Sequence, residues 1–227
     1  MNPTLYFSIC SLFYCVLLLL NLFSSKRKKT AEGKLLTVLA VINFITLFSE
    51  TIGIFLGGNY EKYKLINDII LRMMNIFYIW FFSIFIIFIL NISRQSENLS
   101  FKSHKYIYIV MIVSSIINLF LPISYNFSDA GVIMYSSGIS VKMIYYYVMI
   151  CEGICLAVMF KNYKKTNIHN YSSLFILVIL TALAGMVQSY NPSLLLSAST
   201  NTFVLLYAYM NILRRKFLDG SINKGEK

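Results

Sequence analysis

The residues of this chain that could do chemistry are polar groups set inside long apolar runs. Glu50, Arg72, Asn75, Glu152, Gln188 and Asn201 each lie within or at the end of a stretch otherwise built from Leu, Ile, Val, Phe and Met. A polar or ionisable group in hydrocarbon costs free energy, so it faces a bundle interior, pairs with another such group or lines a water-filled cavity. Glu50 shares a helix face with Asn43, Thr46, Gly53 and Gly57, at alternating spacings of four and three. Ser49, Gly53 and Gly57 form a small-xxx-small series that lets another helix come close. Asp68, Arg72 and Asn75 form a second face. Counted from the outer ends of their helices at 1.5 Å per residue, Glu50 and Arg72 lie within roughly a turn of each other in depth, which predicts an ion pair. Either the pair orients two helices, or it lines a polar pocket open to the outside. Glu152 is the most isolated acid, near the middle of its run. It is either hydrogen-bonded across helices or a proton-sensitive or ligand-contacting group. The candidate ligand-binding set is therefore Glu50, Arg72, Asn75, Glu152, Gln188 and Asn201. A polar cavity in the outer half of the bundle would take its lining from all of these except Glu152.

Other chemistry is excluded by type and spacing. The four cysteines, Cys10, Cys15, Cys151 and Cys155, lie within apolar runs. Cys151 and Cys155 are four apart on one face, as small packing residues would be. No paired CxxC elements suggest a metal site. His104 and His169 fall in inner loops, away from the depth needed to ligate haem or to serve a cysteine nucleophile in the membrane. No GxSxG, HExxH, P-loop or GxGxxG occurs. The last run has no lysine for a retinal Schiff base. The chain thus reads as non-catalytic and as holding no cofactor or metal.

Positioning these groups requires the surrounding runs. Seven are long enough to cross a bilayer: 4–23, 35–56, 69–92, 106–124, 143–160, 172–190 and 193–213. Of the 227 residues, 58% are hydrophobic and 13% charged, and mean hydropathy is +0.68. Backbone groups in lipid must be satisfied internally, so the runs are helices, and the alternating segments of a barrel are missing. The expected fold is all-α, a seven-helix transmembrane bundle. Basic residues set its orientation. Lys26–Lys29 with Arg27, Lys34, Arg94, Lys102, Lys105, Lys161, Lys164, Lys165, Arg214–Lys216, Lys224 and Lys227 fall on one side, against Lys62, Lys64 and Lys142 on the other. Basic loops stay cytoplasmic, so the N-terminus is outside and the C-terminus inside. The net charge of +11 is explained by topology and anionic lipid, without nucleic acid. The first run has its basic cluster after it, unlike a cleaved signal peptide. Tyr145, Tyr146 and Tyr147 at the outer interface, with Tyr106 and Tyr108 at the inner one, fit aromatic belts. Residues 1–213 form one membrane domain, and 214–227 are a short basic cytoplasmic tail. The longest outer loop, about 124–142, is too small for a folded domain, so an outside stimulus must be met by the bundle or its short loops.

Three stretches carry a family resemblance: MNPTLYF at 1–7, KKTAEGKLLTVLAVINFITLFSE at 28–50, with Glu32 and Glu50 in the expected acidic positions, and NPSLLLSASTNTFVLLYAY at 191–209. The chain resembles the N-terminal seven-transmembrane sensor region of bacterial membrane histidine kinases, and similar sensors also occur on diguanylate cyclases. Gly33 stands where an asparagine is expected. Such kinases continue into a coiled coil, a phospho-accepting histidine and an ATP-binding domain. Here neither histidine sits in such a motif, so the chain is either a sensor segment of a longer protein or a module that acts alone. The resemblance implies a signal-input module in the bacterial cytoplasmic membrane. It would sense a small molecule, a peptide or a membrane state. Its partners would be the lipid bilayer and a cytoplasmic output domain or protein, with a homodimer left open. The competing class is a small seven-helix transporter, which should show repeat symmetry and broken helices in matching positions. Neither is evident.

Overall fold

Seven helices and one β-hairpin make up the computed structural model, which describes residues 3–24, 30–57, 60–94, 101–127, 133–163 and 168–213. They run in the order α1 (Pro3–Ser24), α2 (Ala31–Gly57), α3 (Tyr60–Arg94), α4 (Phe101–Phe120), β1 (Ser124–Phe127), β2 (Ile133–Ser137), α5 (Ile139–Asn162), α6 (Ile168–Tyr190) and α7 (Ser197–Ala208). A 3-10 turn, Pro192–Leu194, precedes α7, and a π-helical turn, Tyr209–Leu213, follows it.

Five helices are long and apolar enough to cross a membrane: Leu5–Ser24, Ala31–Gly57, Glu61–Ser93, Ile139–Asn162 and Tyr171–Tyr190. The apolar part of α4, His104–Phe120, is shorter, and α7 has only 12 residues before its π turn. The seven runs in the sequence therefore do not become seven equal rods. The loops differ too. Lys62 and Lys64 lie in the first turns of α3, not in a loop. His104 and His169 likewise belong to the first turns of α4 and α6, and His104 is buried. Residues 26–29, Lys164, Lys165 and the tail 214–227 are outside the described residues.

The centre of the bundle is α3, which packs most extensively on α2 and α5 and also meets α4 and α6. Its phenylalanines recur at helical spacing, so one stripe faces inward. Phe81, Phe85 and Phe88 are fully buried, with successive ring centroids 6.1 and 6.4 Å apart. α1 packs on α2 and α7, and α6 on α5 and α7. α4 is the outlier. Tyr106, Ile109, Val110, Ile112, Val113, Ile116, Ile117 and Phe120 are all exposed on it, an apolar surface suited to hydrocarbon contact. Gly53 faces Ile70 and Asn67 of α3 at ordinary contact distance. The small-residue series thus does point at a neighbouring helix, yet a methyl group would fit there.

The hairpin occupies the stretch expected to be the longest outer loop. Pro122 disfavours helix in the residue before it, and α4 ends at Phe120. β1 and β2 then pair antiparallel, Ser124 opposite Ser137 and Tyr125 opposite Ser136, with a bulge at Asn126/Phe127. Gly138, at φ 101, turns the chain from β2 into α5. An added Cβ there would meet the Pro122 carbonyl oxygen at 3.0 Å and the Ser124 nitrogen at 3.1 Å.

Candidate functional site

A cavity of about 790 Å³, counted with its open mouth, lies among α3, α5, α6 and the chain entering α7. α3 contributes Asn75, Tyr78 and Phe82, which follow one another at three and four residues and so share a face. α5 supplies Val141, Ile144, Tyr145 and Val148 by the same spacing, and α6 supplies Thr181, Gly185 and Gln188. Ser136 of the hairpin and Pro192 and Leu195 of the α6–α7 connection stand at the rim, with Ser197 and Asn201 from α7. Leu195 takes a left-handed backbone, φ 44, which is costly for a residue with a side chain.

No Asp, Glu, Lys, Arg or His is in this lining. Its polar groups are carboxamides, hydroxyls and phenols, and most are already engaged. Asn75 Nδ2 donates to Ser140 Oγ at 3.0 Å, and Ser140 Oγ donates to Asn118 Oδ1 at 3.2 Å. Gln188 Oε1 accepts the Ser197 amide N–H at 2.7 Å and the Ser197 hydroxyl. Thr181 Oγ1 donates to the Val178 carbonyl at 2.9 Å. Asn201 differs. It is 2% exposed and lines the cavity, and its amide has no hydrogen-bond partner among the described residues. Its carboxamide opens onto the cavity with two donors and an acceptor that a ligand could meet.

Of the six sequence candidates, Asn75, Gln188 and Asn201 converge on the cavity. Glu50, Arg72 and Glu152 do not line it. The expected Glu50–Arg72 ion pair is not formed. Glu50 Oε1 accepts the Ser8 hydroxyl of α1 instead. Arg72 Nη1 reaches the carbonyls of Asn118 at 3.4 Å, Leu119, and Leu121 at 3.2 Å, which caps the end of α4. A helix leaves its last carbonyls without partners, and these outcompete a carboxylate that α1 has already claimed. Asp68, on the same face of α3, accepts from the Tyr125 hydroxyl of β1. Glu152 lies one turn beyond Val148 on α5, facing the Thr181 hydroxyl, and its Oε1 has no hydrogen-bond partner.

Tyr78 and Tyr145 are cavity residues that the sequence pattern does not single out. Tyr145 is expected in an interfacial belt with Tyr146 and Tyr147. Only Tyr146 is exposed in that way, at 66%, and the Tyr147 hydroxyl meets Ser83 Oγ at 2.7 Å. The spacing of Tyr78, three residues after Asn75, is the one signal that could have placed it on the cavity face. The cysteines match the packing expectation in part: Cys15, Cys151 and Cys155 are buried, Cys10 is exposed, and all are free. No group of three or more His, Cys, Asp or Glu gathers among the described residues. No protein-family model matches the chain, and no curated protein matches it at a significant level.

Proposed function

We propose that the chain is a membrane signal-input module that binds a small uncharged molecule in the cavity beside α7 and passes the binding event to a cytoplasmic output domain or protein. The reading includes seven crossings of a bacterial cytoplasmic membrane, with the N-terminus outside and the C-terminus inside, and no catalysis by this chain. Its resemblance to histidine-kinase sensor regions belongs to the same proposal.

One observation carries it: the unpartnered Asn201 carboxamide in a cavity whose other polar groups are mostly engaged. A ligand offering a donor and an acceptor to Asn201 satisfies the group that the fold leaves over. The lack of charge in the lining favours an uncharged ligand, because an ion there would lose its hydration without a counter-charge. α7 forms one wall and is the last α-helix among the described residues. A ligand that fits one placement of α7 against α2 and α3 better than another shifts the balance by that difference in affinity. The test grafts a kinase or cyclase output domain after Phe217 and replaces Asn201 or Gln188 with leucine. Basal output is expected to change in both variants with membrane insertion intact. Unaltered output in both would reduce these residues to packing.

A further inference from the structure

The interface of α1, α2 and α7 holds a second set of polar groups, separate from the cavity. α1 presents Ser8 and Ser11, α2 presents Asn43, Thr46 and Glu50, and α7 presents Ser199 and Thr202. Each is at most 2% exposed. Hydrogen bonds fix their levels. Ser8 Oγ donates to Glu50 Oε1 at one level. About two helical turns further along α1, Cys15 Sγ donates to the Ala40 carbonyl at 3.5 Å. Beside it, Asn43 Nδ2 donates to Thr202 Oγ1 at 2.9 Å. Ser11 lies between Ser8 and Cys15 on α1. Thr46 lies between Asn43 and Glu50 on α2, and Ser199 is three residues before Thr202 on α7. The antiparallel course of α2 against α1 and α7 therefore brings Ser11, Thr46 and Ser199 to one middle level.

Three oxygens around that level have no hydrogen-bond partner, Glu50 Oε2, Ser11 Oγ and Ser199 Oγ, and Asn43 Oδ1, further along α2, is a fourth. Buried polar atoms almost always find partners, so three at one level of a three-helix seam call for a common one. The Glu50 carboxylate is the strongest demand. Among the described residues its hydrogen-bond partner is Ser8 and its other near group is the neutral Tyr78 phenol, with no basic side chain acting on it, and a lone buried carboxylate is strongly unfavourable. One carboxylate among neutral hydroxyl oxygens matches a single positive charge. Oxygen-only ligands suit a hard cation. The tight burial of the seam suits a small one.

We propose that Glu50 Oε2, Ser11 Oγ and Ser199 Oγ bind one sodium ion between α1, α2 and α7. The ion neutralises Glu50 and ties α7 to the first two helices. The proposal does not depend on the cavity having a ligand.

The test is thermal unfolding of the full chain in detergent, with NaCl titrated against choline chloride at constant ionic strength. It is run at about pH 6 and about pH 8, because a proton on Glu50 would compete with the ion. The midpoint is expected to rise with sodium and saturate, with a smaller rise in KCl. Glu50→Gln is expected to abolish the sodium-dependent rise. Ser199→Ala should move half-saturation about tenfold upward, the scale of one lost contact to an ion. Sodium and choline curves that coincide at both pH values would overturn the site, and so would a full sodium response in Glu50→Gln. If Glu50→Gln does not fold, Ser199→Ala and Ser11→Ala decide, since both keep the carboxylate. An unchanged half-saturation in both would leave the seam to water alone and end the proposal.

Discussion

Arg72 shows how a cation inside a helical bundle can be satisfied without an acid. Three carbonyls at the end of α4 surround its Nη1, and Pro122, just beyond, keeps them from continuing a helix. A double-mutant cycle tests this. Arg72→Met and Glu50→Leu should each lower stability by about 1–3 kcal/mol by stranding a buried partner. Their coupling should stay below about 0.5 kcal/mol, as for sites without a shared partner. A coupling of several kcal/mol would restore the ion pair. The reason the true pairing is not legible in the sequence is specific. Spacing gives depth along a helix, but the partner also depends on which neighbour each face meets. The α4 carbonyls carry no side-chain signal at all. Asn75, Gln188 and Asn201 are legible because a carboxamide in an apolar run is too costly to face lipid and must turn inward. Tyr78 and Tyr145 are not, because tyrosine is equally at home in a core and at an interface.

Between helices, the β-hairpin and its exit turn decide how α4 hands over to α5. Gly138 makes that turn at φ 101, with the Pro122 carbonyl against the place a Cβ would occupy. Gly138→Ala should cost at least about 1–2 kcal/mol, from backbone strain alone, read as a lowered unfolding midpoint. Gly153, inside α5 with nothing within 4 Å of an added Cβ, is the control. Gly153→Ala should be neutral or stabilising by up to about 1 kcal/mol. Equal losses at both positions would contradict a strained turn at Gly138. The helices are legible because apolar run length is a strong signal. The hairpin is not: Tyr125, Phe127, Ile133 and Tyr135 alternate over only a few residues, too few to stand out from a weakly polar loop. The start of α3 is misplaced for a related reason, since Glu61, Lys62 and Lys64 mark where lipid stops, not where the helix stops.

Across the whole molecule, the orientation and crossing number we propose rest on charge and apolar length, and both can be tested. A reporter fused after Lys227 should be active only as a cytoplasmic reporter, and a periplasmic signal there would reverse the topology. The short α4 tests the count. If it crosses, reporters inserted after Lys105 and after Asn126 report opposite sides, and the same side for both would remove one crossing. The apolar exposed face of α4 gives an independent check. Ile112→Lys, at the middle of the apolar part of that helix, should cost about 2.5–3.5 kcal/mol of insertion free energy if that face meets the middle of the bilayer, read as reduced membrane insertion. The π turn at Tyr209–Leu213 has a consequence for how this molecule could speak to whatever follows it. A π turn carries one residue more than the α-helix it interrupts, and each residue of α-helix turns the chain by about 100°. Exchanging that turn for regular α-helix would swing any helical continuation beyond Leu213 to a different bearing without lengthening α7 by more than a residue. If the chain is the input module proposed above, its output would then be angular, a dial rather than a piston.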